Sequence, residues 1–102
     1  MEVKGLNKRW EIINYTSLGE GYFVYESDVI DLSDLSNTNT KAGSFYLEDN
    51  DGRTYIKSHN NNFYFEIMEF TGDKLLVEFQ GIIPDTRDTV KLFLFECETI
   101  EE

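Results

Sequence analysis

Apolar and polar residues alternate along most of the 102-residue chain. That period of two is the mark of strands with one buried face. RWEIINYT (9–16) sets Trp10 and Ile12 on one side and Glu11, Ile13 and Tyr15 on the other. Comparable runs are YFVYE (22–26), SFYLED (44–49), RTYIKS (53–58), NFYFEIMEF (62–70), LLVEFQ (75–80) and VKLFLFECE (90–98). Turn signals such as SLGEG and TGDK separate them, and the only proline, Pro84, precedes the last run. Strands so rich in β-branched and aromatic residues predict an all-β fold: an antiparallel up-and-down meander closing into a small barrel of seven to eight strands.

One segment departs from this period. SDVIDLSDLSNTNTKAG (27–43) spaces Val29, Leu32 and Leu35 three apart, with Asp28, Asp31 and Asp34 offset by one. With Ser27 as a cap and acids suited to a helix start, a short helical turn near 28–35 is expected, followed by a polar loop. An irregular eighth strand is the alternative. The LFLF run of the last strand is apolar on both faces and calls for cover on both. Alternation also turns Tyr64, Met68 and Phe70 outward if Phe63, Phe65 and Ile67 point in, leaving either a contact surface or a patch under another segment.

YLEDNDGRTYI (46–56) is the nearest approach to a chemical motif. Placing Gly52 at position 6 of a helix–loop–helix calcium site puts Asp49 and Asp51 at positions 3 and 5, which suits the ion. Position 1 is then Leu47 and position 12 is Ser58, and both flanks are strands where the motif needs helices. Asp51-Gly52 instead suits the centre of a type I′ hairpin turn, where both residues take positive φ. The stretch reads as a turn.

Composition narrows the function classes. A chain of this length is one domain and buries enough surface for a core without disulfide staples. Twenty Asp and Glu against nine Lys and Arg give a net charge of −11. Such charge favours a soluble monomer or at most a weak homodimer, opposes binding to nucleic acid, and suits a basic protein partner. No apolar run is long enough to span a bilayer as a helix. The first residues lack the apolar core of a signal peptide, which reads as cytoplasmic. A chain trimmed of an export signal reads the same, and would be exported or lipid-anchored. The lone histidine, His59, lies between strands, and the lone cysteine, Cys97, lies in the last strand. Neither has the neighbours that nucleophilic or zinc chemistry requires. Carboxylate pairs such as Glu66/Glu69 and Asp85/Asp88 are expected by chance in so acidic a chain. No catalytic residue, metal or cofactor is therefore assigned, and a non-enzymatic binding role is expected.

GLNKRWEIINYT at the start, FYFEIMEFTGDKLLVEF past the middle and KLFLFE at the end resemble the small bacterial lipocalin-like domains. Leu6 and Trp10 match the family's opening, with Asn7 and Lys8 in place of its glycine-containing step. Ile67, Phe70, Leu75 and Val77 match its late hairpin. The resemblance covers about half of the chain and implies an up-and-down barrel that binds a small apolar molecule. Inward residues Trp10, Ile12, Phe65, Val77 and Leu92 are then the candidate lining, although so small and aromatic a barrel is expected to be mostly filled by its own side chains. The alternative is an acidic protein-binding module of inhibitor or immunity type, which masks a basic surface of its target. Its candidate contacts are Glu26, Asp28, Asp31, Asp34, Glu48, Asp49 and Asp51.

Overall fold

The computed structural model describes residues 4–19, 28–35, 45–58, 63–82, 86 and 88–100. Its strands are β1 (Arg9–Ser17), β2 (Val29–Asp31), β3 (Phe45–Asn50), β4 (Arg53–Ser58), β5 (Phe63–Phe70), β6 (Lys74–Ile82) and β7 (Thr89–Thr99). All pair antiparallel in one sheet, ordered β2-β1-β7-β6-β5-β4-β3. The expected all-β meander is thus present, as a curled half-barrel. Its order is that of an up-and-down barrel parted between β2 and β3, and the described residues contain no ladder across that gap.

The strand expected at 22–26 lies outside the described residues, as do Ser27 and His59. Where a helical turn was expected near 28–35, the structure has β2 and then a turn at Ser33–Asp34. The Ile12 amide donates to the Asp28 carbonyl at 2.7 Å and the Leu32 amide to the Lys8 carbonyl at 3.0 Å. These bonds tie the segment to β1, and Ile30 and Leu32, two apart, enter the core. Pairing with a long neighbouring strand outweighs the weak local preference for a helix.

Among the described residues, three β-bulges bend the sheet. The β1–β7 register slips between Ile12 and Asn14, the β5–β6 register between Ile67 and Glu69, and the β6–β7 register between Phe79 and Gln80. Each inserts one unpaired residue (Ile13, Met68 and Leu92), increases local twist and reverses the in/out alternation beyond it. Tyr15 therefore stands opposite Phe95 on the inner face, and Phe70 turns inward to meet the Trp10 ring edge-on at 5.9 Å. Strict alternation had placed both outside. Ile13 and Met68 remain 51% and 46% exposed.

The core fills the inner face. Trp10, Leu6, Ile30 and Leu32 close one end, where the indole N–H donates to the Leu6 carbonyl at 2.9 Å. The Lys8 ammonium lies 4.7 Å above the Trp10 ring and donates to the Gly72 carbonyl at 2.8 Å. Along the sheet, Phe65, Phe79 and Phe95 form a continuous ring cluster with centroids 5.1–6.4 Å apart. The Asp51-Gly52 hairpin has the expected geometry, with φ of 51° and 78° and Asn50 paired to Arg53.

Candidate functional site

Of the residues expected to line an apolar cavity, Trp10, Phe65 and Val77 are wholly core. Ile12 and Leu92 are half-buried and packed against them. The structure brings these five to one face as a packed floor. Beyond Phe95 that floor continues to Phe93 and to Tyr15, which meets Phe93 edge-on at 5.9 Å and is 65% exposed.

The acidic candidates divide between the two edges of the sheet. Asp28, Asp31 and Asp34 flank or lie in β2, whereas Glu48, Asp49 and Asp51 belong to β3 and its hairpin. Glu26 lies outside the described residues. Several of these carboxylates have local duties. Asp31 accepts from the Ser33 hydroxyl at 2.6 Å and the Ser33 amide at 3.0 Å, and that hydroxyl first, then the amide, holds its carboxyl below the ordinary range. Asp49 accepts from the Thr54 hydroxyl at 2.8 Å, and Glu48 pairs with Lys57. Charge on edge strands also deters strand-to-strand aggregation.

Outer-face charge is organised differently at the two ends of the sheet. Away from the β5–β6 turn, acids meet cations: Glu48 with Lys57, Glu66 with Arg53 at 3.9 Å, and Glu78 with Lys91 at 3.5 Å. Lys57 also lies 5.8 and 5.6 Å from the Tyr55 and Tyr64 ring centroids. Its ammonium loses hydration on partial burial, yet the Glu48 carboxylate outweighs that loss and raises its pKa. Glu66 and Glu78 stand directly opposite each other and are buried, and the Gln80 amide donates to both, at 3.0 and 2.7 Å.

Nearer the β5–β6 turn, two outer depressions of ≈ 250 and ≈ 670 Å³ adjoin at Lys74 and Glu98. Among the described residues, their walls together carry five carboxylates (Glu11, Glu69, Asp73, Glu96 and Glu98) and one ammonium, Lys74. Register explains the grouping. Glu11, Glu98 and Lys74 form one row across β1, β7 and β6, while Asn14, Glu96, Leu76 and Glu69 form the next. Like charges face each other at Glu11 and Glu98, which is unfavourable and only partly offset by Lys74. Leu76 and the bulged Ile13 give the smaller groove an apolar floor. Sequence reasoning missed this site because acids at alternate positions of β7 look like an ordinary solvent face, and the bulge that displays Ile13 has no local signature.

Cys97 lies beneath this groove, and burial pushes its thiol up to about 12. A thiol held protonated is a poor nucleophile. Because the folded chain keeps this proton after the unfolded chain has lost it, stability falls as pH rises from 9.0 towards about 12. Cys97→Ala is expected to flatten that alkaline limb in urea melts. An unchanged limb would assign it to other groups. Among the described residues, no group of three or more His, Cys, Asp or Glu could hold a metal ion, and no helix is long and apolar enough to cross a membrane. Compared with known proteins, the chain matches no family model, no curated protein and no solved structure.

Proposed function

We propose that the protein is a non-enzymatic binding domain that engages a basic protein through its acidic outer surface, as an inhibitor or immunity-type module would. Segregation of charge carries this reading: away from the β5–β6 turn Glu48, Glu66 and Glu78 are paired with cations, while around the two depressions, among the described residues, five carboxylates share one ammonium. Such a field speeds encounter with a basic surface, and added salt screens it. Association with a basic target should slow severalfold between about 0.02 and 0.15 M salt. Replacing Glu69, Glu96 and Glu98 together with Gln should slow it at low salt and weaken its salt dependence. Replacing Asp28, Asp31 and Asp34 with Asn should have a smaller effect, since these acids flank β2 at the sheet edge and line neither depression. Stopped-flow association at two ionic strengths measures all three proteins, and salt-independent rates would sink the proposal.

A second reading, the lipocalin-like one, follows from Tyr15. It continues the inner aromatic floor past Phe93 into solvent, where a small apolar molecule would find a ring to pack against. A tightly retained apolar ligand in native mass spectrometry, lost on Tyr15→Ser, would favour it.

A further inference from the structure

We infer that the groove between β1 and β5 is the docking surface and that its occupant is an arginine side chain presented by an extended segment of the basic partner. This rests on the basic-partner reading and assigns its contact. The groove combines two chemistries that neither sheet edge shows together. Its floor is apolar, with Leu76 at the centre of a row and Ile13 displayed on the far side of β7 by the β1 bulge. Its rim is anionic: Glu96 and Glu69 occupy the strands on either side of Leu76, and Glu98 lies in the adjacent row.

Neighbouring strands lie about 4.8 Å apart, so Glu96 and Glu69 are separated by about 10 Å at the backbone. A compact ammonium would reach one of them. A guanidinium is planar with five donors and is weakly hydrated, so it can address carboxylates from more than one direction while its methylene stem covers Leu76 and Ile13. The volume of ≈ 250 Å³ suits one long side chain better than a folded element. A second copy of this chain is disfavoured because it brings the same charge of −11. The same repulsion opposes nucleic acid and anionic lipid.

The probe is a capped arginine hexapeptide, compared with an analogue whose guanidinium sits on a single methylene. Both carry the same charge at pH 7, so a difference between them reports the stem. The arginine peptide should bind roughly fivefold or more tightly, given the apolar surface that its two extra methylenes per side chain bury. Backbone amide shifts in NMR should centre on Ile13, Glu69, Leu76 and Glu96. Ile13→Ser, at an exposed position, should bring the two affinities together while circular dichroism stays unchanged. Equal affinities for the parent protein, or shifts centred on Asp28–Asp34 or Glu48–Asp51, would overturn the groove assignment and leave a basic partner standing. Absence of binding by either peptide at low salt would overturn both.

Discussion

Replacing Trp10 with alanine is expected to cost about 3–5 kcal/mol, a large share of the roughly 5–15 kcal/mol that holds a typical domain together. The indole is fully buried among Leu6, Ile30 and Leu32, meets Phe70 edge-on, and spends its N–H on the Leu6 carbonyl. Truncation empties the largest side chain of the core, removes one of the two donors to that carbonyl (the Lys8 amide is the other), and uncovers the site where Lys8 crosses the ring. Trp10→Phe should cost less, because it keeps most of the volume and loses only the hydrogen bond and part of the contact. Urea unfolding of the three proteins measures the series. As Trp10 is the only tryptophan, native emission should be blue-shifted and should move to the solvated position on unfolding. A stability loss below about 1 kcal/mol, or native emission at the solvated position, would mean that the indole does not anchor this end of the sheet.

The second large effect is expected at Gln80. Its amide is the shared donor for two buried carboxylates, Glu66 and Glu78, which face each other across the β5–β6 ladder. Gln80→Leu keeps the volume and removes both hydrogen bonds, leaving like charges opposed in a poorly solvated strip. Arg53 and Lys91 approach these acids at 3.9 and 3.5 Å from exposed positions and offset only part of the loss. A cost of about 2–4 kcal/mol follows from the general penalty for stranding buried polar and charged groups. Adding Glu78→Gln to Gln80→Leu should recover a good part of it, because an amide then faces Glu66 and one charge is gone. If the double variant is no more stable than Gln80→Leu alone, the bridging role is wrong.

Much of the sheet was legible in the alternation of the chain. The β3–β4 hairpin shows why: FYLEDN and RTYIKS pair without a register slip, and Asp51-Gly52 takes the positive φ that its turn requires. Bulges were invisible for an equally physical reason. Inserting one residue reverses every side chain beyond it, but nothing in WEIINY or EIMEF distinguishes a bulged strand from a straight one. Tyr15 and Phe70 were therefore assigned to the wrong face, and Ile13 was not seen as the floor of a groove. The segment 28–35 misled differently, since the period-three spacing of its apolar residues is real, yet β1 offers Val29–Asp31 a ladder that an isolated helical turn cannot match. The acids on the sheet edges cluster in sequence, whereas Glu11, Glu69, Asp73, Glu96 and Glu98 gather only through the fold of the sheet.

The position of β1 in the strand order also bears on synthesis and folding. Strands β3 to β7 each pair with the next one in the chain, so their ladders need only short loops to close. By contrast, β1 must pair with β7, and the bond from Asn14 to Glu96 spans 82 positions. Non-local pairings of this kind carry a large entropy of closure and slow the search for the native topology. A chain emerging from the ribosome N-terminus first can pair β1 with β2 early, yet its other neighbour is the last strand to appear. Until then the inner side chains of β1, Trp10 among them, have no β7 to pack against, and this apolar strand edge is the part of the nascent protein most in need of protection from wrong partners.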